Sequence, residues 1–207
     1  MILERLPVGP IEANCYIIGC KKTKTGAVVD PGAEADRILK RVEKLGLKIK
    51  YIILTHGHVD HIGALGEVRE ATGAEVLIHA EDADMLTESR KNLSFFMGST
   101  INFKAADRVL QEGDIIEIGD IKVEVLHTPG HTKGGICLKC SPEIVITGDT
   151  LFAGSVGRSD FPGGSHKQLI ASIKNKLMHF PPQTKVYPGH GPETTIQEEE
   201  MYNPFLR

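Results

Sequence analysis

Apolar residues recur along the chain in two rhythms, one typical of strands and the other of helices. Short apolar runs at 15–19, 26–29 and 49–54 predict buried strands. Between the second and third runs, the segment 34–45 repeats its apolar positions at helical spacing, and Gly46 suits the position just after a helix. The first quarter of the chain therefore predicts a strand pair, an amphipathic helix and a further buried strand.

The next part of the chain continues this alternation and then loses it. A helix is predicted over 63–72, a strand over 76–79 and a short helix over 82–87. Segment 88–108 has no clear period, although it contains the apolar trio at 95–97. Such a segment is either a packing loop or a wall or lid of a functional site, because long loops in compact domains are often functional.

The second half repeats the strand-then-helix order. Strict alternation around Gly-Asp predicts a hairpin over 116–125, and strands follow at 135–139 and 143–147. Ser165 and Gln168 have the spacing of a capping box that opens an amphipathic helix. No low-complexity linker separates the halves, so we expect a single two-sheet α/β domain over 1–207.

Composition excludes several classes of protein. The 207 residues carry a net charge of −3 with both signs interspersed, which argues against a nucleic-acid-binding surface. The charged N-terminal residues and the lack of a long apolar run predict neither a signal peptide nor a membrane span, so a cytoplasmic protein is expected. Cys137 and Cys140 have the spacing of a redox or metal motif, but no second pair accompanies them, and we expect ordinary buried thiols.

The richest chemistry lies just after the strand at 49–54. His56, His58, Asp60 and His61 place four potential metal ligands within six positions. A chain of this composition contains that pattern by chance roughly once in a thousand. The carboxyl end of a buried strand is also where open α/β sheets usually carry their sites. The segment 55–61 therefore predicts a metal site.

Three further turns carry ligand-type residues, and each follows a strand-like run: His131, Asp149 and His190. His56, His58 and His131 are candidate ligands of one ion, and Asp60, His61 and His190 of a second. Asp149 can bridge the two. Imidazole and carboxylate groups suit Zn²⁺, Fe²⁺ or Mn²⁺, and the absence of Cys argues against a closed structural zinc site. Two divalent ions are expected, with Zn²⁺ as the first choice.

These motifs resemble, in their order, those of the metallo-β-lactamase-fold hydrolases, and in particular the glyoxalase II-like (hydroxyacylglutathione hydrolase-like) branch. The matching segments are 55–61, 128–132, 148–152 and 188–191. The resemblance implies a four-layer αββα sandwich with the ligands at one edge. It also implies thioester hydrolysis by hydroxide held between two metals, with Asp60 binding one metal and orienting the hydroxide. No general acid is needed, because thiols are acidic leaving groups.

The chain departs from the two-domain members of that branch. It ends soon after His190, so no C-terminal helical glutathione-binding domain is expected, and Pro192 stands where those enzymes have Tyr. The expected substrate is a small thioester of glutathione or a similar thiol, acted on by a monomer or small homo-oligomer. Phe152 and Arg158 are the predicted substrate contacts, although Arg158 can instead pair with Asp160.

Two other functions compete with this interpretation. His56, His131 and Asp149 alone form the two-His, one-carboxylate set that holds mononuclear Fe²⁺, and the persulfide dioxygenases resemble the chain there and at 157–161. A nucleic-acid-binding protein on the same fold is disfavoured because no basic surface is evident. Of the other histidines, only His127 is close enough in sequence to His131 to support a ligand.

Overall fold

Two mixed six-stranded sheets form the centre of the molecule, and the computed structural model describes residues 1–207. The first sheet has the order β1-β2-β3-β4-β5-β6, with strands Ile2–Val8, Ala13–Gly19, Thr25–Val29, Lys48–Ile53, Glu75–His79 and Arg108–Leu110. β1, β2 and β3 pair antiparallel, whereas β3 to β6 run parallel. The carboxyl ends of four neighbouring strands therefore lie at one edge.

The second sheet is built from the later half of the chain. Its order is β14-β13-β10-β9-β8-β7, with strands Ile115–Ile118 (β7), Ile121–His127 (β8), Ile136–Ser141 (β9), Ile144–Gly148 (β10), Lys185–Pro188 (β13) and Thr194–Thr195 (β14). β10 and β13 are parallel, and β8 runs in the same direction because both β8 and β10 are antiparallel to β9. A small hairpin of β11 (Leu151–Phe152) and β12 (Ser155–Val156) follows β10.

Helices cover the outer face of each sheet. α1 (Ala35–Leu45), α2 (Val59–Ile62) and α3 (Leu65–Thr72) belong to the first half, and α4 (His166–Ser172) and α5 (Ile196–Tyr202) to the second. α4 continues as a π-helical turn, Ile173–Leu177, and 3₁₀ turns occupy Ala80–Leu86 and Ser94–Met97. No helix combines the length and the apolar character needed to cross a bilayer.

Three buried clusters show how these layers pack. One lies between the sheets, where Ile53 and Leu77 of the first sheet meet Val125 and Leu138 of the second. Another joins the outer face of the first sheet to α1 and α3, and the third joins the second sheet to α4 and α5. The central strands β2, β3 and β10 therefore bury both faces, which explains their nearly continuous apolar runs. The order of layers is helix, sheet, sheet, helix, and the predicted αββα fold is confirmed.

Most predicted elements are present. The hairpin lies at β7 and β8, with Ile118 opposite Ile121, and α1 ends at Gly46 in the left-handed conformation. β1 and α5 were not predicted; β1 contains Arg5 and Pro7, which break the strand pattern, and it has only one neighbouring strand. The predicted helix at 63–72 is shorter and is preceded by a separate turn of helix, α2.

Candidate metal centre

The histidine-rich segment turns back beneath the end of β4 because a buried carboxylate holds its first residue. Asp30 follows β3 directly, is 1% exposed, and accepts hydrogen bonds from Thr55 N at 2.8 Å and from Thr55 Oγ1 at 2.6 Å. The start of α2 is held from another side, since Val59 N donates to Asn92 O at 2.9 Å. Asp60 and His61 therefore lie on a short helix rather than on an extended turn.

One group of ligand-type side chains consists of His56, His58 and His131, all of them buried. Their nearest ring nitrogens lie within 4.8 Å of one another. His58 Nδ1 is 2.9 Å from His131 Nε2, which is 3.3 Å from His56 Nε2. Residues 73 and 75 positions apart in sequence therefore meet at a single point.

Asp60, His61 and His190 form a second group beside the first. His190 Nε2 lies 3.2 Å from Asp60 Oδ2 and 3.3 Å from His61 Nε2. This group is more open, because the His190 and Asp60 side chains are 27% and 20% exposed whereas His61 is fully buried. The more open group is the one that a small molecule can reach from solvent.

Asp149 lies between the two groups. Its Oδ2 is 3.5 Å from His131 Nε2 in the first group and 3.8 Å from His190 Nε2 in the second, and its Oδ1 is 3.3 Å from His61 Nε2. All seven predicted ligand residues are thus brought together at one edge of the sandwich. Their roles as ligands remain predictions.

Backbone and carboxylate acceptors orient three of the imidazoles. His131 Nδ1 donates to Arg158 O at 2.6 Å, His190 Nδ1 to Ile11 O at 3.1 Å, and His61 Nδ1 to Asp30 Oδ2 at 3.0 Å. Each bond leaves Nε2 free and directed into the cluster. Acceptors of this kind hold a metal-binding imidazole in the correct tautomer and orientation.

The charges of the cluster are distributed unevenly. Burial, reinforced by the neighbouring imidazoles, lowers the pKa of His56 and lowers that of His58 to about 3, so both rings are neutral and have lone pairs to donate. Burial also acts to lower the pKa of His61, but the surrounding carboxylates, Asp149 first, raise it well above its usual value. For Asp60, burial is outweighed by the His190 hydrogen bond and nearby imidazoles, and its pKa is lowered.

Two observations show that these residues suit divalent cations. Asp149 Oδ1 is buried and lies 3.3 Å from His61 Nε2 without forming a hydrogen bond of good geometry, which leaves the carboxylate poorly satisfied unless another group compensates it. His61 Nε2 and His190 Nε2 also face each other at 3.3 Å, although the Nδ1 atoms of both rings are already hydrogen-bonded elsewhere. Imidazole and carboxylate ligands are those of Zn²⁺, Fe²⁺ and Mn²⁺, so the donor set fits such ions.

Sequence patterns missed Asp30, whose Oδ2 contacts both Thr55 and His61. A signal was available, since Asp30 follows an apolar strand in the same way as Asp149 and begins the turn Asp30-Pro31-Gly32. Asp82 was also missed; it is buried and accepts hydrogen bonds from Thr132 Oγ1 and Gly134 N, which fixes the turn carrying His131.

The remaining predicted residues lie around the rim. Arg158 forms an exposed ion pair with Asp160 at 2.8 Å and lies over the ring of Phe161. Phe152 is half-buried, with its ring centroid 6.2 Å from that of His190. His127 forms no hydrogen bond with a ligand residue; its Nε2 contacts Lys133 O and its ring stacks on that of His79.

The four cysteines take no part in the cluster. All of them are buried and free. Burial raises the pKa of the Cys137 thiol to about 11 and that of Cys140 to about 12. Reactive cysteines are exposed and have a lowered pKa, so these two agree with the prediction of ordinary buried thiols.

Gly189 provides a test of how tightly the centre is packed. A Cβ at this position would lie 2.2 Å from Asp149 Oδ1 and 2.8 Å from His61 Cε1. Gly189→Ala should therefore displace a ligand-type side chain and weaken Zn²⁺ binding about tenfold to a hundredfold, as measured by titration of metal-free protein. Gly66→Ala is the matched control, because its Cβ would meet only Phe103 at 3.7 Å. Equal affinities for the two variants would contradict the described packing.

Two packed sheets with paired His/Asp groups at a shared edge define the architecture of a metallo-hydrolase fold. The family model described as the metallo-beta-lactamase superfamily matches residues 8–190. The chain belongs to this superfamily, and the resemblance stated from its motifs is confirmed. It is also 39% identical over 209 residues to "Hydroxyacylglutathione hydrolase GloC" of Haemophilus influenzae, covering 100% of this chain and 98% of the relative.

Solved structures with the same fold carry differing names. The BLEG-1 B3 metallo-beta-lactamase superposes with a TM-score of 0.93 at 36% identity, covering 99% of both chains. TTHA1623 in a di-iron-bound form superposes with a TM-score of 0.87 at 36% identity, covering 98% of this chain and 100% of that one. ETHE1 from Myxococcus xanthus superposes with a TM-score of 0.81 at 32% identity, covering 99% of this chain and 84% of that one.

Proposed function

We propose that the protein is a metal-dependent thioester hydrolase of the glyoxalase II type. Its substrate is an S-acyl derivative, such as S-lactoylglutathione, of glutathione or a similar thiol. The observation that carries this proposal is the presence of two complete groups of His and Asp side chains with Asp149 between them. The identity to a hydroxyacylglutathione hydrolase supports the thioester chemistry.

The roles follow from the geometry. His56, His58 and His131 would hold one ion, Asp60, His61 and His190 the other, and Asp149 both. Divalent ions at such a site supply an activated water and polarise a carbonyl oxygen. Zn²⁺ is the expected metal, with Fe²⁺ and Mn²⁺ as alternatives.

Asp60 is the proposed catalytic residue. Its carboxylate is kept ionised and directed by His190 Nε2 at 3.2 Å, and it is partly open to solvent. It can therefore bind one ion as an anionic ligand and orient the attacking water toward the thioester carbonyl. The departing thiolate needs no protein acid, since the pKa of a thiol is about 8.5.

The rim offers the two proposed substrate contacts. The guanidinium of Arg158 is largely exposed and paired only with Asp160, an exposed pair that contributes little stability. A substrate carboxylate can take the place of Asp160 at low cost. The half-buried ring of Phe152, next to His190, offers an apolar surface beside the more open group.

A second function, a mononuclear Fe²⁺ persulfide dioxygenase, is favoured by a specific arrangement. His131 Nε2 lies 3.3 Å from His56 Nε2 and 3.5 Å from Asp149 Oδ2, which gives the two-His, one-carboxylate set on its own. The similarity to ETHE1 concerns the whole fold and does not choose between the two functions.

Metal analysis with paired assays separates these functions. The purified protein is analysed for metal content and assayed for thiol release from S-lactoylglutathione and for oxygen consumption with glutathione persulfide. About two metals per chain with thiol release is the expected result. One iron per chain with oxygen consumption and no thiol release would overturn the proposal.

A further inference from the structure

A small apolar cavity opens beside Asp60. Its volume is about 250 Å³, and it is enclosed by the β1–β2 turn, the turn after β3, the start of α2 and the loop after the 3₁₀ turn at 94–97. Its apolar walls are formed by Pro10, Ile11, Ala33, Val59, Met97 and Ile101. Asp60 is the only charged residue in its lining, and Ser99 the only other polar side chain.

One wall of this cavity is tied to the metal centre by Asn92. This residue is fully buried, and its Nδ2 donates to Ile101 O at 2.9 Å and to Met85 O at 3.0 Å. Its own backbone carbonyl accepts from Val59 N, one position before Asp60. The irregular segment 88–108 thus contributes a wall whose position relative to the candidate site is fixed by hydrogen bonds.

Asp60 belongs to both the cavity and the more open ligand group. Its Oδ2 lies 3.2 Å from His190 Nε2, and His190 in turn donates to the carbonyl of the cavity residue Ile11 at 3.1 Å. A substrate whose reacting carbonyl lies next to Asp60 can therefore extend its substituent into the cavity. A charged or hydroxylated substituent would lose hydration there with only Asp60 and Ser99 as polar neighbours, whereas a hydrocarbon would gain by burial.

We propose that this cavity binds the hydrocarbon acyl chain of the thioester, so that the enzyme prefers acyl groups of about four to six carbons over lactoyl. The proposal rests on the proposed thioester hydrolysis. The volume of about 250 Å³ equals that of about eight water molecules at roughly 30 Å³ each, which suits one end of a substrate. The segment 88–108, whose role the sequence left open, then determines acyl specificity.

The first test uses acetyl, butanoyl, hexanoyl and lactoyl thioesters of glutathione with the metal-loaded protein. We expect kcat/KM to rise about threefold per added methylene and lactoyl to fall near acetyl. Ile101→Phe narrows the cavity while its backbone bonds to Asn92 and Ser94 remain. The kcat/KM for the hexanoyl thioester should therefore fall at least tenfold more than that for the acetyl thioester.

Met97→Ala is the second variant, and it does not disturb the core because Met97 is 64% exposed. It should reduce the preference for hexanoyl over acetyl about threefold. Met201→Ala is its matched control, since Met201 on α5 is 52% exposed and lies outside the cavity lining. A change of preference in Met201→Ala equal to that in Met97→Ala would overturn the assignment.

A binding measurement removes the dependence on turnover. S-hexylglutathione, a thioether that cannot be hydrolysed, should bind at least tenfold more tightly than S-methylglutathione by calorimetry, and Ile101→Phe should abolish the difference. Thioester hydrolysis that is indifferent to chain length, with equal binding of the two thioethers, would overturn the acyl cavity and leave the proposed function intact. Failure to hydrolyse any thioester would overturn both.

Discussion

Asp60→Asn should lower the kcat/KM for thioester hydrolysis by about a hundredfold or more, because the attacking water loses the group that orients it. The substitution keeps the shape of the side chain but removes its charge, so the amide cannot act as an anionic ligand beside His61 and His190. The backbone of α2 should be unaffected, because Val59 N and the Asp30–Thr55 bonds hold it.

Steady-state kinetics and metal content of Asp60→Asn check this result against Asp84→Asn. Asp84 is exposed and pairs with Lys91, and its substitution should change kcat/KM by less than about twofold. The same pair of variants bears on the alternative function, because the set of His56, His131 and Asp149 does not include Asp60. Activity of Asp60→Asn within tenfold of wild type would contradict the two-metal proposal.

Asp30→Ala should destabilise the metal-free protein by about 3 kcal/mol and weaken metal binding. The change leaves three buried donors, Thr55 N, Thr55 Oγ1 and His61 Nδ1, without their acceptor, and each unsatisfied buried donor costs about 1–3 kcal/mol. Asp30 also has a φ of 50°, a left-handed conformation that Asp tolerates better than Ala. The His61 ring loses the bond that directs its Nε2 into the cluster.

Denaturant unfolding of the metal-free variant measures the free energy of unfolding without the contribution of bound metal, and thermal unfolding measures its melting temperature. The melting temperature should fall by about 6–12 °C, given 2–4 °C per kcal/mol in a chain of this size. Asp120→Ala is the control, since Asp120 forms an exposed pair with Lys22 and should change stability by less than about 1 kcal/mol. A loss below 1 kcal/mol in Asp30→Ala would show that Asp30 does not hold the histidine-rich segment.

Local patterns predicted the elements whose signals lie within a few residues. The hairpin of β7 and β8, the end of α1 at Gly46 and the Ser165 cap of α4 are all present. β1 was not predicted because its strand conformation depends on pairing with β2 rather than on an alternation of apolar and polar residues in its own sequence. The helical position of Asp60 likewise depends on a distant contact, the bond from Val59 N to Asn92 O.

The candidate site shows the same division at the level of side chains. Donor type and strand-end position were enough to select the seven ligand candidates, because metal chemistry requires those groups. The substrate contacts at the rim were harder to predict. The alternatives for Arg158 were a substrate contact or an ion pair with Asp160, and the structure shows the ion pair. Asp30 gave a weak local signal, since its side-chain partners lie 25 or more positions away. The side chain of Asn92 bonds within nine positions, but its link to the site is the distant bond from Val59 N in α2 to Asn92 O.

The sequence by itself determined the kinds of element, the ligand chemistry and the superfamily, because periodicity and donor identity are local properties. Tertiary structure alone decided how close the two predicted ligand groups lie, which acceptors orient three of the imidazoles and that an apolar cavity adjoins Asp60. These depend on the alignment of strand ends from two sheets, where Asn14 N bonds to Gly189 O across 175 positions of chain and Ile136 N to Thr55 O. Such contacts arise only when both sheets bury their common core.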